Sequence, residues 1–110
     1  QKPQNQHIEL NEFEKAKEIL DNSMAKNNKQ PEPYGNLGYL YAKQMQFDLA
    51  LSFYNKALAL DPDFEQSLVN KAAVLHVMGK KAEAQKLIQQ VLKRNPNSVL
   101  AQQANQVFSN

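Results

Sequence analysis

The feature that most constrains this chain is a repeat of 34 residues. When the sequence is compared with itself at that offset, small and apolar side chains recur in the same columns. One column holds alanine in three copies, and others hold large apolar residues or proline. These columns are Ala16, Ala50 and Ala84; Leu20, Tyr54 and Ile88; Met24, Leu58 and Leu92; and Pro62 and Pro96. A fixed period of this length indicates stacked copies of one structural unit.

Within each unit, the apolar spacing is that of an α-helix. Tyr34, Leu37, Gly38 and Tyr41 recur three and four residues apart, as residues on one helix face do. No alternation with a period of two persists, so no strand is expected. Helices are predicted over residues 12–27, 32–44, 47–60, 65–78, 81–94 and 98–109.

The ends of these helices carry recognisable signals. Asn11 precedes two glutamates and is predicted to be an N-cap, and Asp63, three residues before Gln66, has the layout of a capping box. Gly79 is predicted to end a helix in the left-handed conformation. Met45 lies in the same column as Asn11 and Gly79, so it is predicted to have a positive φ despite its side chain.

Residues 31–64 read Tyr34-x-x-Leu37-Gly38-x-x-Tyr41, then Ala50-x-x-x-Tyr54-x-x-Ala57, then Pro62. This pattern resembles the tetratricopeptide repeat, and residues 65–98 resemble a second copy through Leu68, Ala72, Leu75, Ala84, Ile88, Val91 and Pro96. The resemblance implies an all-α solenoid of antiparallel helix pairs in a right-handed superhelix, with about two full repeats and single flanking helices. The expected divisions are an N-terminal tail at 1–10, the second helix of a partial repeat at 11–30, repeats at 31–64 and 65–98, and a capping helix at 99–110.

The N-terminal end departs from the repeat pattern. Pro3 and the polar residues that follow it carry no apolar stripe, so residues 1–10 are predicted to form no helix. The next helix has an apolar stripe whose usual helical partner is missing: Phe13, Ala16, Ile19, Leu20 and Met24. We expect this stripe to be covered by a preceding segment of a longer protein or by a second copy of the chain in a homodimer.

The family resemblance also implies a binding site. In such arrays, the first helix of each unit lines a concave groove that holds a peptide or protein segment. The implied ligand-binding residues are Asn36, Tyr39, Lys43, Gln66, Asn70, Ala73, His76 and Val77. Asn36 and Asn70 share a column, and a side-chain amide can both donate to and accept from a peptide backbone. The alternative is that asparagine is simply common in this column.

One subclass of the family clamps the terminal carboxylate of chaperone tails with Lys, Arg and Asn side chains on successive inner helices. In this chain only Asn36 matches that arrangement. Tyr39 and Gln66 stand where polar or basic partners of the carboxylate are needed. The resemblance therefore implies a peptide groove without this clamp.

Composition and motifs argue against other classes of function. The chain has no cysteine, its two histidines are far apart in sequence, and it shows no phosphate-binding loop or catalytic motif, so no metal, cofactor or enzymatic activity is expected. Residues 65–98 hold six Lys or Arg against two Glu, too sparse a basic surface to predict nucleic-acid binding. No apolar run approaches the roughly 18 residues that a membrane-spanning helix needs.

The predicted function is therefore that of a protein-protein interaction module. The alternative is a structural or self-assembly domain of a longer protein, which packs through its open N-terminal repeat edge.

Overall fold

The computed structural model describes residues 2–26 and 29–109, with side chains from Phe13 onwards except those of Ser23 and Ser109. These residues form six helices and no strand. The helices are α1 (Lys2–Lys26), α2 (Pro31–Lys43), α3 (Phe47–Leu60), α4 (Glu65–Val77), α5 (Lys81–Arg94) and α6 (Val99–Ser109). The sequence predicted the bounds of α3 and α5 to the residue and those of α2, α4 and α6 to within one residue at each end.

The helices pack as a row of antiparallel pairs. Helix α2 packs on α3, and α4 packs on α5, while contacts of α4 with α2 and α3 join the two pairs. Helix α1 packs on α2 at one end, and α6 packs on α4 and α5 at the other. The chain is thus the all-α solenoid that the repeat predicted, with two complete pairs between two single helices.

Small residues lie where these helices cross, as the alanine column predicted. Ala50 and Ala84 are both 0% exposed. At Gly38, an added Cβ atom would lie only 2.6 Å from the ring of Tyr54, a separation that no packed side chain tolerates. Burial raises the pKa of the Tyr54 hydroxyl well above its ordinary value of 10.0, and the nearby Tyr39 adds a smaller contribution in the same direction.

The two turns within the helix pairs are built alike. Met45 has a φ of 61° and Gly79 a φ of 88°, so the prediction of a left-handed backbone at both positions is confirmed. In the first turn, the N–H of Gln46 donates to the carbonyl oxygen of Tyr41 at 2.9 Å, and the second turn has the same bond one repeat later. This is the hydrogen-bond pattern of a Schellman cap, in which glycine is the usual left-handed residue.

Helix α1 differs from the prediction for the N-terminal end. It begins at Lys2, whereas the sequence predicted that residues 1–10 form no helix. Pro3 lies in the first turn of α1, where a missing N–H removes no helical hydrogen bond. Asn11 lies inside α1, so the prediction of an N-cap at Asn11 is wrong.

The prediction of a capping box at Asp63 is also wrong. The residue before α4 is Phe64, and no side chain caps that helix. The N–H of Asp63 instead donates to the Oδ1 of Asp61 at 3.0 Å. The carboxylate that holds this turn together is therefore that of Asp61, two residues before the expected position.

Helix α6 is fixed to the array by its first residues. Ser98 Oγ accepts a hydrogen bond from the N–H of Ala101 at 3.1 Å, which caps the helix, and donates a hydrogen bond to Glu65 of α4. Asn95 Nδ2 donates to the second oxygen of the Glu65 carboxylate at 3.2 Å. Together these bonds join the start of α6 to the start of α4.

One side of α6 is polar, namely the side that corresponds to the face of α4 packed on α5. Gln102 and Gln106 occupy the columns that hold Leu68 and Ala72 in α4, and both glutamines are exposed. In α4 those columns are buried against α5. This side of α6 therefore lacks the apolar residues that pack on a second helix in α4, while Val99, Leu100 and Val107 of the same helix are exposed.

Candidate functional site

The eight predicted binding residues lie on α2 and α4. Asn36, Tyr39 and Lys43 belong to α2 and are exposed, as are three of the five residues on α4. Tyr39 keeps 50% of its surface exposed and Val77 keeps 65%, which are large fractions for side chains of their size. The other exposed residues on α4 are Gln66 and Ala73, and the partly buried ones are Asn70 and His76.

The α2 residues form part of a cleft with α1. Asn36 and Tyr39 line it together with Leu40 of α2, and α1 contributes Ala16, Ile19 and Leu20. The cleft has a volume of about 370 Å³. We call this feature, made of those six residues, the N-terminal cleft. Its lining is mainly apolar, with one amide and one phenol at the α2 side.

Lys43 is oriented by its own helix. Its Nζ lies 5.6 Å from the centre of the Tyr39 ring, which is four residues earlier on α2. An ammonium group at this distance over an aromatic face is attracted by the ring electrons. The pair gives this part of α2 an amphipathic surface, with an aromatic body and a positive charge at its edge.

The α4 residues have a different neighbour. The ring of His76 stacks on that of Phe108 of α6, with centroids 4.4 Å apart and planes 11° apart. His76 Nδ1 is buried and has no hydrogen-bond partner among the residues that the structure describes. The structure thus places His76 against α6, whereas Asn36 and Tyr39 lie beside α1.

The sequence missed the residues that supply these contacts. Leu40 and Phe108 share a column with Val74, which is 4% exposed in the core. That column was not read as part of the site, although the 34-residue spacing contained the signal. Ile19 was assigned to the apolar stripe of the N-terminal end, but its position beside Asn36 depends on how α1 packs on α2.

A polar cleft of about 210 Å³ lies at the junction of the two repeats. It is lined by Asp63, Glu65 and Arg94 among others. Arg94 and Asp63 form an ion pair with an N–O distance of 3.0 Å, and both side chains are largely exposed. Such a pair contributes little to stability, and the cleft holds no further reactive group.

The described residues offer neither a metal site nor a membrane-spanning helix. Within residues 2–26 and 29–109, no group of three or more His, Asp or Glu side chains is placed to bind a metal ion. Over the same residues, no helix combines the length and apolar character that crossing a membrane requires.

Comparison with protein families finds two overlapping matches. Models described as tetratricopeptide repeat match residues 31–64 and residues 53–86. Together they cover residues 31–86, which is just over half of the 110 residues. The first match coincides with the first full repeat that the sequence predicted.

Two curated relatives and one solved structure illustrate the similarity. The uncharacterized protein ycf37 of Cyanophora paradoxa is 33% identical over 92 residues, covering 84% of this chain and 54% of the relative. The Photosystem I assembly protein Ycf3 of Acaryochloris marina (strain MBIC 11017) is 35% identical over 48 residues, covering 44% of this chain and 29% of the relative. The chain therefore spans about half, or less, of the length of the curated relatives that it matches.

The solved structure is the first TPR of Spaghetti (RPAP3) bound to the HSP90 peptide SRMEEVD. It superposes with a TM-score of 0.79 at 23% sequence identity, covering 96% of this chain and 83% of that one. At this identity the likeness shows the fold alone.

Proposed function

The chain belongs to the tetratricopeptide repeat family, and from that premise we propose that it binds a peptide or protein segment in the concave groove lined by α2 and α4. The observation that carries this proposal is the exposure of Tyr39 and Val77 on these two helices. Large exposed side chains with few degrees of freedom lose little entropy when a partner covers them. Asn36 and Asn70, one repeat apart, supply amides that can pair with the backbone of the bound segment.

The groove lacks the charges that an acidic ligand requires. Among its eight residues, Lys43 is the one that carries a full positive charge, and its Nζ lies over the ring of Tyr39. The protein in the related structure binds SRMEEVD, a peptide with three acidic residues among its last four. We expect this chain to bind that peptide at least about tenfold more weakly than a neutral peptide selected for the groove, because the anionic groups would be desolvated without partners.

A peptide selection tests the groove. Peptides displayed on phage are selected on the intact chain, and the double variant Tyr39→Ala with Asn70→Ala is then tested against them. We expect this variant to lose about tenfold or more in affinity while its circular dichroism stays that of the parent. The matched control is Lys86→Ala with Lys93→Ala on α5, which should bind as the parent does.

If the groove variant binds unchanged and the control loses binding, the site lies on the convex face instead, where Lys86, Lys93 and Arg94 form a basic edge. That result would overturn the groove proposal. It would leave open a role for the N-terminal end of the array.

The second candidate function is structural and concerns the N-terminal cleft. Ile19 is 68% exposed at this end of the array. An apolar side chain so exposed beside a cleft is typical of a packing surface. The domain would then serve to join this end of the array to the rest of a longer polypeptide, to a second copy of itself, or to another protein. Light scattering over a range of concentrations tests self-association, and Leu20→Glu is expected to abolish any dimer.

A further inference from the structure

The N-terminal cleft is the place where one helix of the repeat is missing. Along the array, the columns of Ala50 with Tyr54 and of Ala84 with Ile88 are at most 1% exposed. They are covered by α2 and α4 respectively. The same columns in α1 hold Ala16 and Leu20, which are partly exposed. A further helix, packed on α1 as α2 is packed on α3, would therefore bury these two residues.

The covering helices of the two complete pairs show what such a helix must carry. Each has a small residue at the crossing, Gly38 in α2 and Ala72 in α4, and each has large apolar residues three positions later, Tyr41 and Leu75. Gly38 allows the backbone of α2 to lie against the ring of Tyr54. A helix that fits the N-terminal cleft therefore needs glycine or alanine between large apolar residues on one face.

Residues 2–10 do not supply this helix. In the two complete pairs, the covering helix is joined to its partner by a left-handed turn at Met45 or Gly79. Asn11 occupies the same column, but α1 runs through it as one helix from Lys2 to Lys26. Residues 2–10 are thus directed along the axis of α1 rather than back over Ala16 and Leu20.

A second copy of the chain does not supply it either. Helices α2 and α4 have the required pattern, but their apolar faces are already buried against α3 and α5. Helix α6 carries Gln102 and Gln106 in the columns that would pack on Ala16 and Leu20, and its exposed apolar residues, Val99, Leu100 and Val107, lie outside those columns. Burial of two amides against Ala16 and Leu20 would leave their hydrogen bonds unmade.

We propose that the N-terminal cleft binds one amphipathic helix from a different polypeptide, which takes the place of the missing first helix of the repeat. This inference rests on the second candidate function, in which the N-terminal end is an interaction surface. The cleft shares Asn36 and Tyr39 with the groove on α2 and α4, whereas Ile19 belongs to the cleft alone and Val77 to the groove alone. The bound helix presents a glycine or alanine to Ala16 and Leu20, with large apolar residues on either side. It meets Ile19 at its centre and Asn36 at its edge.

The chain contains a probe for this site. A labelled peptide with the sequence of residues 31–43, PEPYGNLGYLYAK, has the required pattern because it is the sequence of α2 itself. We expect this peptide to bind the intact chain with a Kd of about 100 µM or below and to gain helical circular dichroism on binding, since a free peptide of this length is largely unfolded. A peptide with leucine in place of the glycine that corresponds to Gly38 is expected to bind at least about tenfold more weakly.

Matched variants of the chain locate the binding site. Ile19→Glu should weaken the peptide at least about tenfold, because it places a charge in the cleft. Val77→Glu makes the same change at a residue of similar exposure, 65% against 68%, on α4. Val77→Glu should leave the binding of this peptide unchanged, even if it disturbs a ligand of the groove. The two sites can therefore fail or succeed separately.

Four results would overturn the proposal. The first would be a peptide that fails to bind at millimolar concentration. The second would be an equal loss of peptide affinity in Ile19→Glu and Val77→Glu. A third contrary result would be a mass in light scattering of twice the 12.5 kDa of one chain, restored to the single mass by Ile19→Glu. The occupant of the cleft would then be a second copy. Removal of residues 1–9 raises the affinity for the peptide about tenfold, which shows that the chain's own N-terminal segment had filled the cleft.

Discussion

The two ends of the array are treated differently by the sequence. At the C-terminal end, α6 has Gln102 and Gln106 in columns that are apolar in α4, and Ser98 and Glu65 tie its first turn to the array. At the N-terminal end, α1 keeps the apolar residues of a complete pair, Ala16 and Leu20, which the described helices cover only in part. The described array thus has polar side chains in these repeat columns at one end and an apolar cleft at the other.

This difference shows that the repeat pattern and the closure of the array are separate properties. Ala16 follows the repeat as faithfully as Ala50 and Ala84, but its environment depends on what lies beside it. A sequence column predicts which face of a helix is apolar, whereas burial of that face depends on a neighbour. Five measurements can break or sharpen the comparison.

The largest expected effect is in the alanine column. Ala50→Leu or Ala84→Leu is expected to lower the free energy of unfolding by about 1–3 kcal/mol, because both sites are fully buried at a helix crossing. Ala16→Leu is expected to change it by less than about 0.5 kcal/mol, since the cleft has room for the larger side chain. Urea unfolding followed by circular dichroism measures all three. A loss at Ala16 as large as that at Ala50 would mean that the cleft is filled in solution.

The next effect concerns the closed end. Ser98→Ala removes both the cap of α6 and the hydrogen bond to Glu65, and it is expected to lower the free energy of unfolding by about 1–2 kcal/mol. Hydrogen exchange should become faster in α6 before it does in α4. Ser52→Ala, at an exposed position of α3, is the control and should have little effect. Equal exchange in the parent and Ser98→Ala would show that α6 is held by its apolar contacts alone.

Alkaline pH compares the two ends through the column of Leu20 and Tyr54. Tyr54 has a raised pKa in the folded protein because it is buried, so above its ordinary value of 10.0 the unfolded chain loses a proton that the folded chain retains. Stability is therefore fully present below pH 10 and falls by up to about 1.4 kcal/mol for each further pH unit, until the pKa of the folded state is reached. Tyr54→Phe should remove this contribution.

The same column offers a test at the open end. Leu20→Tyr is expected to add a tyrosine that ionises near its ordinary pH, as seen in the ultraviolet difference spectrum, because the N-terminal cleft is accessible to water. If the added tyrosine resists ionisation as Tyr54 does, the two positions are equally buried and the contrast between the ends is wrong.

The smallest expected effect is at the two turns. Met45→Gly is expected to be neutral or to stabilise the protein by up to about 1 kcal/mol, because the backbone is left-handed there and the methionine side chain is 74% exposed. Gly79→Ala, at the equivalent position, should destabilise by about 1 kcal/mol. Thermal unfolding distinguishes the two directions. A loss of more than about 1 kcal/mol for Met45→Gly would mean that its side chain contributes packing that outweighs the strain.

The sequence predicted well those features that repeat. The bounds of α3 and α5, the burial of Ala50 and the positive φ of Met45 each follow from a column in which the same physical demand recurs. The positive φ of Met45 could be predicted only because Gly79 occupies the same column. These properties are local or involve adjacent helices, so the spacing of residues is sufficient to predict them.

The features that the sequence did not predict depend on alternatives that spacing leaves undecided. Pro3 disfavours the middle of a helix but suits its first turn, and the sequence alone did not decide between the two. Asp61 and Asp63 are both residue types that favour turns, and only the structure shows that the Asp61 carboxylate accepts the stabilising hydrogen bond. The stacking of His76 on Phe108 and the position of Asn36 beside Ile19 depend on how whole helices cross, which no local pattern specifies.

The polar face of α6 also has a consequence for assembly symmetry. Helix α6 is a first helix without its second, and α1 is a second helix without its first, so the two ends of the chain would be complementary if both were apolar. A contact between the front of one copy and the back of the next is heterologous, and a solenoid that advances along its axis does not close into a ring. Such molecules would polymerise into filaments. Gln102 and Gln106 remove that complementarity. The cleft at the other end can therefore stay accessible to a partner without causing the chains to polymerise head to tail.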